Sequence, residues 1–155
     1  GFTFAYKKFT LKTNFSYRID VDVINSARMD VENMYGNLNQ SKAVNWRWRK
    51  EGDMTEIPRA LYNTGYNWLG SDRYLEDASY LRMSYLQASY SVDPKELKKY
   101  GLQQLYISAS ANNLFILSKY TGLDPEIGAN GWGQAFDNSK TPRSRSFTLS
   151  LTVGF

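Results

Sequence analysis

In Trp46-Arg47-Trp48-Arg49-Lys50, two flat aromatic faces alternate with three cations. Aromatic faces stack on bases and cations neutralise phosphate, so the pattern is one that single-stranded nucleic acid could use. The cluster is short, though, and Glu51 and Asp53 follow at once. Packing and charge pairing inside a loop fit it better, and nucleic acid is not an expected partner. The same rings, with Trp68, Tyr120 and Trp132, suit contact with an extended sugar or peptide oligomer, where an aromatic face sits beside polar groups. Anchoring loops to one another or to a partner protein would use the same residues, and both uses stay open. Asp124 and Glu126 flank Pro125 and have the look of paired catalytic carboxylates or cation ligands, but one intervening proline makes them loop-shaping groups.

Other chemistry is missing. The 155 residues contain no Cys and no His, which removes disulfides, thiolate metal sites, cysteine nucleophiles, the commonest general base and most zinc sites. No nucleophile elbow, phosphate loop, dinucleotide fingerprint or calcium loop occurs. The expectation is a protein that is not an enzyme and uses no metal or cofactor. The two glycosylation sequons, at Asn14 and Asn39, read as accidental. Lys95, Lys98 and Lys99 solvate a short turn and blunt strand ends. A net charge of +4 implies no particular partner. The chain opens on Gly1 without a Met or a signal peptide, which reads as a processed chain or a piece of a longer one.

The elements that would carry these residues are strands. Aromatics reach 15%, a β-rich bias. From Phe9 to Val23 the odd positions are apolar except Thr13, while the even ones hold Lys12, Arg18, Asp20 and Asp22 and no apolar residue. That is a period-2 strand of about fifteen residues, far beyond the usual five or six. Phe147, Leu149, Leu151, Val153 and Phe155 alternate in the same way at the C-terminus. Leu86–Val92 and Leu105–Asn112 give two more strands, and Phe2–Tyr6 a short first one. Leu81 and Met83 are out of phase with Leu86, which a β-bulge near Met83–Tyr85 would reconcile. Connections alternate between short (Lys7-Lys8, Asp93–Gly101) and long (Asn25–Asp77, Asn113–Thr141). The first long connection has room for one helix, capped at Ser26, with Val31, Met34, Tyr35 and Leu38 at helical spacing.

Long strands with one greasy face and one charged face fit an outer-membrane barrel, where lipid meets the first and a wet lumen the second. They also fit a soluble sandwich, in which a second sheet covers the apolar side. Strands exceeding the 9–11 residues that cross a bilayer, alternating connection lengths, and aromatics at Phe9, Tyr17, Tyr90 and Phe147 near strand ends favour the membrane. Five strands cannot close a barrel and open edges are forbidden in lipid, so further strands must pair with these.

Several segments, in order, resemble the C-terminal end of the SusC/RagA-type TonB-dependent outer-membrane transporters of Bacteroidetes. They are Phe4-Ala5-Tyr6-Lys7-Lys8-Phe9-Thr10-Leu11, Trp48–Asp53 with Thr55 and Ile57-Pro58-Arg59, and Ser71–Arg82, the most specific. Asn113-Leu114-Phe115, Lys119–Glu126 and Pro142–Phe155 complete the set. Ile116-Leu117-Ser118 stands where the family often has a Thr, and Thr141 where it often has Tyr before Pro142. The resemblance implies an all-β chain forming the last strands, about five, of a larger transmembrane antiparallel barrel, with two long extracellular loops. It covers residues 1–155, with the plug and earlier strands outside this chain. It also implies import of nutrient oligomers, oligosaccharide or oligopeptide, energised by the TonB complex through regions not in this chain. A SusD-like surface lipoprotein would act as lid, and Trp46, Trp48, Trp68, Tyr120 and Trp132 would contact substrate or lid. Phe155 resembles the terminal aromatic read by the barrel-assembly machinery. A passive porin or adhesin barrel and a soluble carbohydrate-binding sandwich are the alternatives.

Overall fold

The computed structural model describes residues 1–63, 71–126, 135–137, 139 and 141–155. In chain order its elements are β1 (Phe2–Tyr6), β2 (Phe9–Arg18), β3 (Asp22–Ile24), α1 (Ser26–Val31), β4 (Leu75–Asp77), β5 (Tyr80–Ser91), α2 (Pro94–Leu97), β6 (Gln104–Ser118) and β7 (Ser146–Gly154). Single 3-10 turns lie at Lys42–Trp46, Asp72–Tyr74 and Lys98–Tyr100. Two compact units result: residues 1–19, 79–119 and 143–155 form one, and residues 20–78 and 120–142 the other.

The first unit is an antiparallel sheet in the order β1-β2-β5-β6-β7. Its register turns the period-2 pattern into continuous rows. Phe4, Leu11, Ala88, Ala109 and Leu149 lie side by side, as do Tyr6, Phe9, Tyr90, Ile107 and Leu151. The alternate rows are polar except for Ala5: Thr3, Lys12, Gln87, Ser110, Thr148, and Ala5, Thr10, Ser89, Ser108, Ser150. One face is therefore apolar across all five strands. Phe147, Leu149 and Leu151 on it remain 73%, 79% and 63% exposed, so nothing in the described residues covers this end of the face. The interior of a sandwich would have buried all three. The out-of-phase half of β5 is accommodated as expected. Asn14 pairs with Tyr85 and Phe15 with Met83, leaving Ser84 as the extra residue, and Ser84 Oγ meets Ser16 Oγ at 3.0 Å. Asn113 of β6, at φ +52°, absorbs the matching irregularity on the other side.

The bounds of three elements differ from the sequence expectation. The strand expected from Phe9 to Val23 ends at Arg18, because Asp20 adopts a left-handed φ of +56°, which a short polar side chain tolerates. Beyond it, β3 pairs with β4 in a separate two-stranded sheet. The long strand is β6 instead, 15 residues running past Asn112 to Ser118. The helix is capped by Asn25, whose Oδ1 accepts from Arg28 N at 2.9 Å, rather than by Ser26. It stops at Val31, short of Leu38, because Asn33 Oδ1 accepts from Tyr35 N at 2.8 Å and closes a turn that competes with the helix.

The second unit holds two small apolar clusters. Val23, Ala78 and Tyr120 pack with Val21 and Ala135, and Met34, Val44 and Ile57 pack with Ala43. Burying a side chain the size of Val23 contributes about 1.5–3 kcal/mol, so clusters this small leave much of the unit's order to polar contacts.

Candidate functional site

Those polar contacts centre on Glu76 of β4. Thr121 N donates to Glu76 Oε2 at 2.9 Å, and Thr121 Oγ1 donates to the same carboxylate at 2.7 Å. Asn25 Nδ2 and an Arg28 guanidinium nitrogen each donate to Oε1 at 3.2 Å. Burial opposes ionisation of Glu76, but the Thr121, Arg28 and Asn25 hydrogen bonds outweigh it and hold the carboxyl below the usual range. Arg28 Nε also donates to Glu32 at 2.9 Å, and Glu32, only 4% exposed, receives Arg73 on its other oxygen. Two arginines and two glutamates thus form an alternating chain, with both guanidinium groups over the ring of buried Tyr74, at 5.9 and 4.7 Å. Arg73 extends the chain by donating to Glu56 O at 3.3 Å.

The order of residues in Ser71–Asp77 now has a physical reading. Ser71 Oγ caps the 3-10 turn by accepting from Arg73 N, Tyr74 is 1% exposed, and Glu76 reaches Thr121. In Tyr120-Thr121-Gly122 the Tyr120 hydroxyl donates to Asp137 Oδ2 at 2.7 Å, and burial together with that bond pushes its phenol well up. Asp137 Oδ1 in turn accepts from Ser139 N at 2.9 Å. A Cβ at Gly122 would lie 2.4 Å from Tyr120 Cε1, so glycine is what lets the ring seat. Asp124, 3% exposed, accepts from Glu126 N at 3.0 Å in an Asx turn, the loop-shaping role expected of that pair.

The aromatic residues proposed from sequence separate. Trp46, at the end of its 3-10 turn, is 78% exposed. Trp48 is half-buried, its N–H bonded to Ile57 O at 2.9 Å, and lines a shallow concavity with Thr55, Glu56, Ile57, Pro58 and Arg59. Asp53 Oδ2 closes the intervening turn by accepting from Arg49 N at 2.9 Å and Lys50 N at 3.0 Å, and Thr55 Oγ1 donates to Trp46 O. The basic groups beside the tryptophans are thus partly spent on the loop: Arg47 and Arg49 donate to Val44 O and Asn45 O. Tyr120 is placed inside the unit, in contact with Val23 and Ala78, rather than on its surface. Trp68 and Trp132 lie outside the described residues. Sequence reasoning passed over Glu32, Glu76, Asn25 and Thr121, and the signal available was the unusual density of charge in Ser71–Asp77. Among the described residues no three carboxylates converge as metal ligands.

No family model matches the chain. Relatives do. TonB-dependent receptor P39 of Formosa agariphila is 28% identical over 116 residues, 72% of this chain and 11% of that protein. TonB-dependent receptor P3 of the same organism is 25% identical over 97% of this chain and 15% of its own length. TonB-dependent receptor SusC of Bacteroides thetaiotaomicron is 33% identical over 62% of this chain and 9% of its own length. The solved RagAB peptide importer in its open-open state superposes on 97% of this chain with a TM-score of 0.78 and 24% identity, over 16% of its own chain, a likeness of fold. The chain is similar in sequence to TonB-dependent receptors, SusC among them, and in fold to part of the RagAB importer. It spans about a tenth to a sixth of the length of these relatives. Two of the segments from which the resemblance was drawn, Ser71–Arg82 and Lys119–Glu126, supply Glu76 and Thr121, so these motif residues fasten the second unit together.

Proposed function

We propose that this chain is part of the barrel wall and external loops of an outer-membrane, TonB-dependent importer of nutrient oligomers. The observation that carries the reading is the uncovered apolar face, with Phe2, Phe4, Phe147, Leu149 and Leu151 exposed and charge kept to the alternate rows. Water does not tolerate such a patch across five strands, whereas hydrocarbon requires it. The names of the relatives supply the energised import. The sheet's outer edges, β1 and β7, would pair with strands elsewhere in the polypeptide, because unpaired backbone groups find no partner in lipid.

In this reading the segments 20–78 and 120–142 are the external loops, and a SusD-like lipoprotein is the lid that meets them. Trp46 and Trp48 are the aromatic surface offered to substrate or lid, with Trp68 and Trp132 as further candidates and Tyr120 as internal support. Phe155, 85% exposed, serves as the assembly signal. Glycan and peptide are both compatible with half-buried Trp48 beside Glu56 and Arg59, since each stacks on a ring and hydrogen-bonds at its rim. The test is fractionation of the complete polypeptide: it is expected in the outer membrane, released only by detergent, and to co-purify with a SusD-like lipoprotein. Recovery in buffer as a soluble protein overturns the reading.

A further inference from the structure

The short connections of the sheet lie at one end, and the fold brings them together. Lys7 and Lys8 make the β1–β2 turn, with Lys7 at φ +52°, and residues 92–103 make the β5–β6 turn. Ser91 N donates to Lys8 O at 3.0 Å, and Lys8 Nζ lies 3.5 Å from Asp93 and 3.6 Å from Glu96. Asp93 Oδ1 also caps α2 by accepting from Lys95 N at 2.9 Å. Gln103 N donates to Gly154 O at 2.8 Å, which draws the end of β7 to the same place. Lys8 thereby engages both acids of the second turn and offsets one of their two charges. Lys7, Lys95, Lys98 and Lys99 remain exposed, and among the described residues none of the four forms an ion pair. Lys7 lies over the Tyr6 ring at 5.4 Å.

Immediately beside these cations runs the row Tyr6, Phe9, Tyr90, Ile107, Leu151 on the apolar face, and Tyr100, 78% exposed, follows Lys99. Hydrocarbon-compatible surface, amphipathic rings and unpaired ammonium groups succeed one another over a few residues, the order met on crossing from acyl chains to headgroups. We propose that this end of the sheet binds the headgroups of anionic phospholipids, the four lysines meeting phosphate oxygens while the aromatic row sits at the acyl boundary. An acidic soluble protein would match the charge and leave the contiguous apolar row uncovered. Lysine ammonium groups act as point charges, so the surface selects for charge density and not for one headgroup shape. The inference rests on the membrane reading above.

Native mass spectrometry of the complete polypeptide in micelles doped with phosphatidylglycerol or phosphatidylcholine tests it. The wild type is expected to retain phosphatidylglycerol preferentially, and the K7Q/K95Q/K98Q/K99Q variant to lose that preference by about fivefold or more. K42Q/K50Q, in the other unit, should keep it. Should the quadruple variant fail to reach the outer membrane, K7Q/K95Q and K98Q/K99Q are each expected to lose part of the preference. Unchanged preference in membrane-inserted variants overturns the proposal and leaves the importer reading intact. Displacement of phosphatidylglycerol by a millimolar excess of inorganic phosphate also overturns it, by assigning the site to free phosphate. A wild-type polypeptide that needs no detergent fails the membrane reading first.

Discussion

Glu76 is where single-residue chemistry has the widest reach in this chain. Its carboxylate takes donors from residues 25, 28 and 121, so two stretches distant from it in sequence depend on one ionised group. Glu76→Gln keeps an acceptor for Thr121 N but removes the negative charge that Arg28 uses, at a cost of about 1–3 kcal/mol. Protection of the Thr121 amide against hydrogen exchange, in the complete polypeptide, should fall about tenfold or more in the variant. The pH dependence follows from the direction of the shift. A carboxyl held below its ordinary value contributes fully above the unfolded pKa, about 4.3, and loses that contribution as pH falls through the lower folded value. Thr121 protection is therefore expected to be level from neutrality to about pH 4.3 and to decline below it, with that acid limb reduced in Glu76→Gln. An identical limb in both proteins would assign the loss to another group. None of this was legible from residue types alone, because Glu76 and Thr121 are 45 residues apart and nothing local marks them as partners.

Elements were legible to the extent that one period governed them. β2 and β7 declare themselves because polar and apolar residues alternate, with Thr13 the one exception, and the register places those faces side by side as expected. The end of β2 escaped because the alternation runs on through Asp20 and Val23 while the backbone does not, a left-handed aspartate costing too little to leave a mark. The length of β6 escaped for the opposite reason. Asn113 looks like the start of a loop, yet it supplies the irregularity that keeps Phe115 beside Met83, just past Asn112 in the ladder opposite Tyr85. The helix was found in its place, with its cap off by one residue and its end drawn back to Val31. The two faces of β7 give a direct test at this scale. Leu149 shares its row with Phe4, Leu11, Ala88 and Ala109, whereas Ser150 shares its own with Ala5, Thr10, Ser89 and Ser108. An arginine facing hydrocarbon at mid-depth costs about 2–4 kcal/mol, and one facing a wet lumen costs little. Leu149→Arg should lower the amount of polypeptide assembled in the outer membrane and Ser150→Arg should leave it near wild type, read by quantifying detergent-extracted protein. Equal loss from both would mean the assigned faces are wrong.

At the scale of the molecule, the sheet is unfinished in two directions. Among the described residues its apolar face has no layer over Phe147, Leu149 or Leu151, and β1 and β7 each present an outer edge that pairs with no described strand. Either feature alone has an ordinary remedy, since a sandwich covers a face and a bulge or a lysine blunts an edge. Together they are what the proposed barrel wall needs: hydrocarbon on one side and neighbouring strands at both ends. A chain spanning 9–15% of the length of its relatives has little means of supplying either by itself. Produced alone in detergent-free buffer, these 155 residues are therefore expected to associate through the exposed face and edges, eluting as large species in size-exclusion chromatography. Detergent should disperse them without restoring a defined monomer, because micelles replace the lipid and not the missing neighbours. The loop unit, held by the Glu76 network and two small clusters, has no such dependence built into its own contacts. A monodisperse monomer in buffer, with sharp resonances for Leu149 and Leu151, would show that the greasy face is covered by the chain itself and that the barrel-wall reading is wrong.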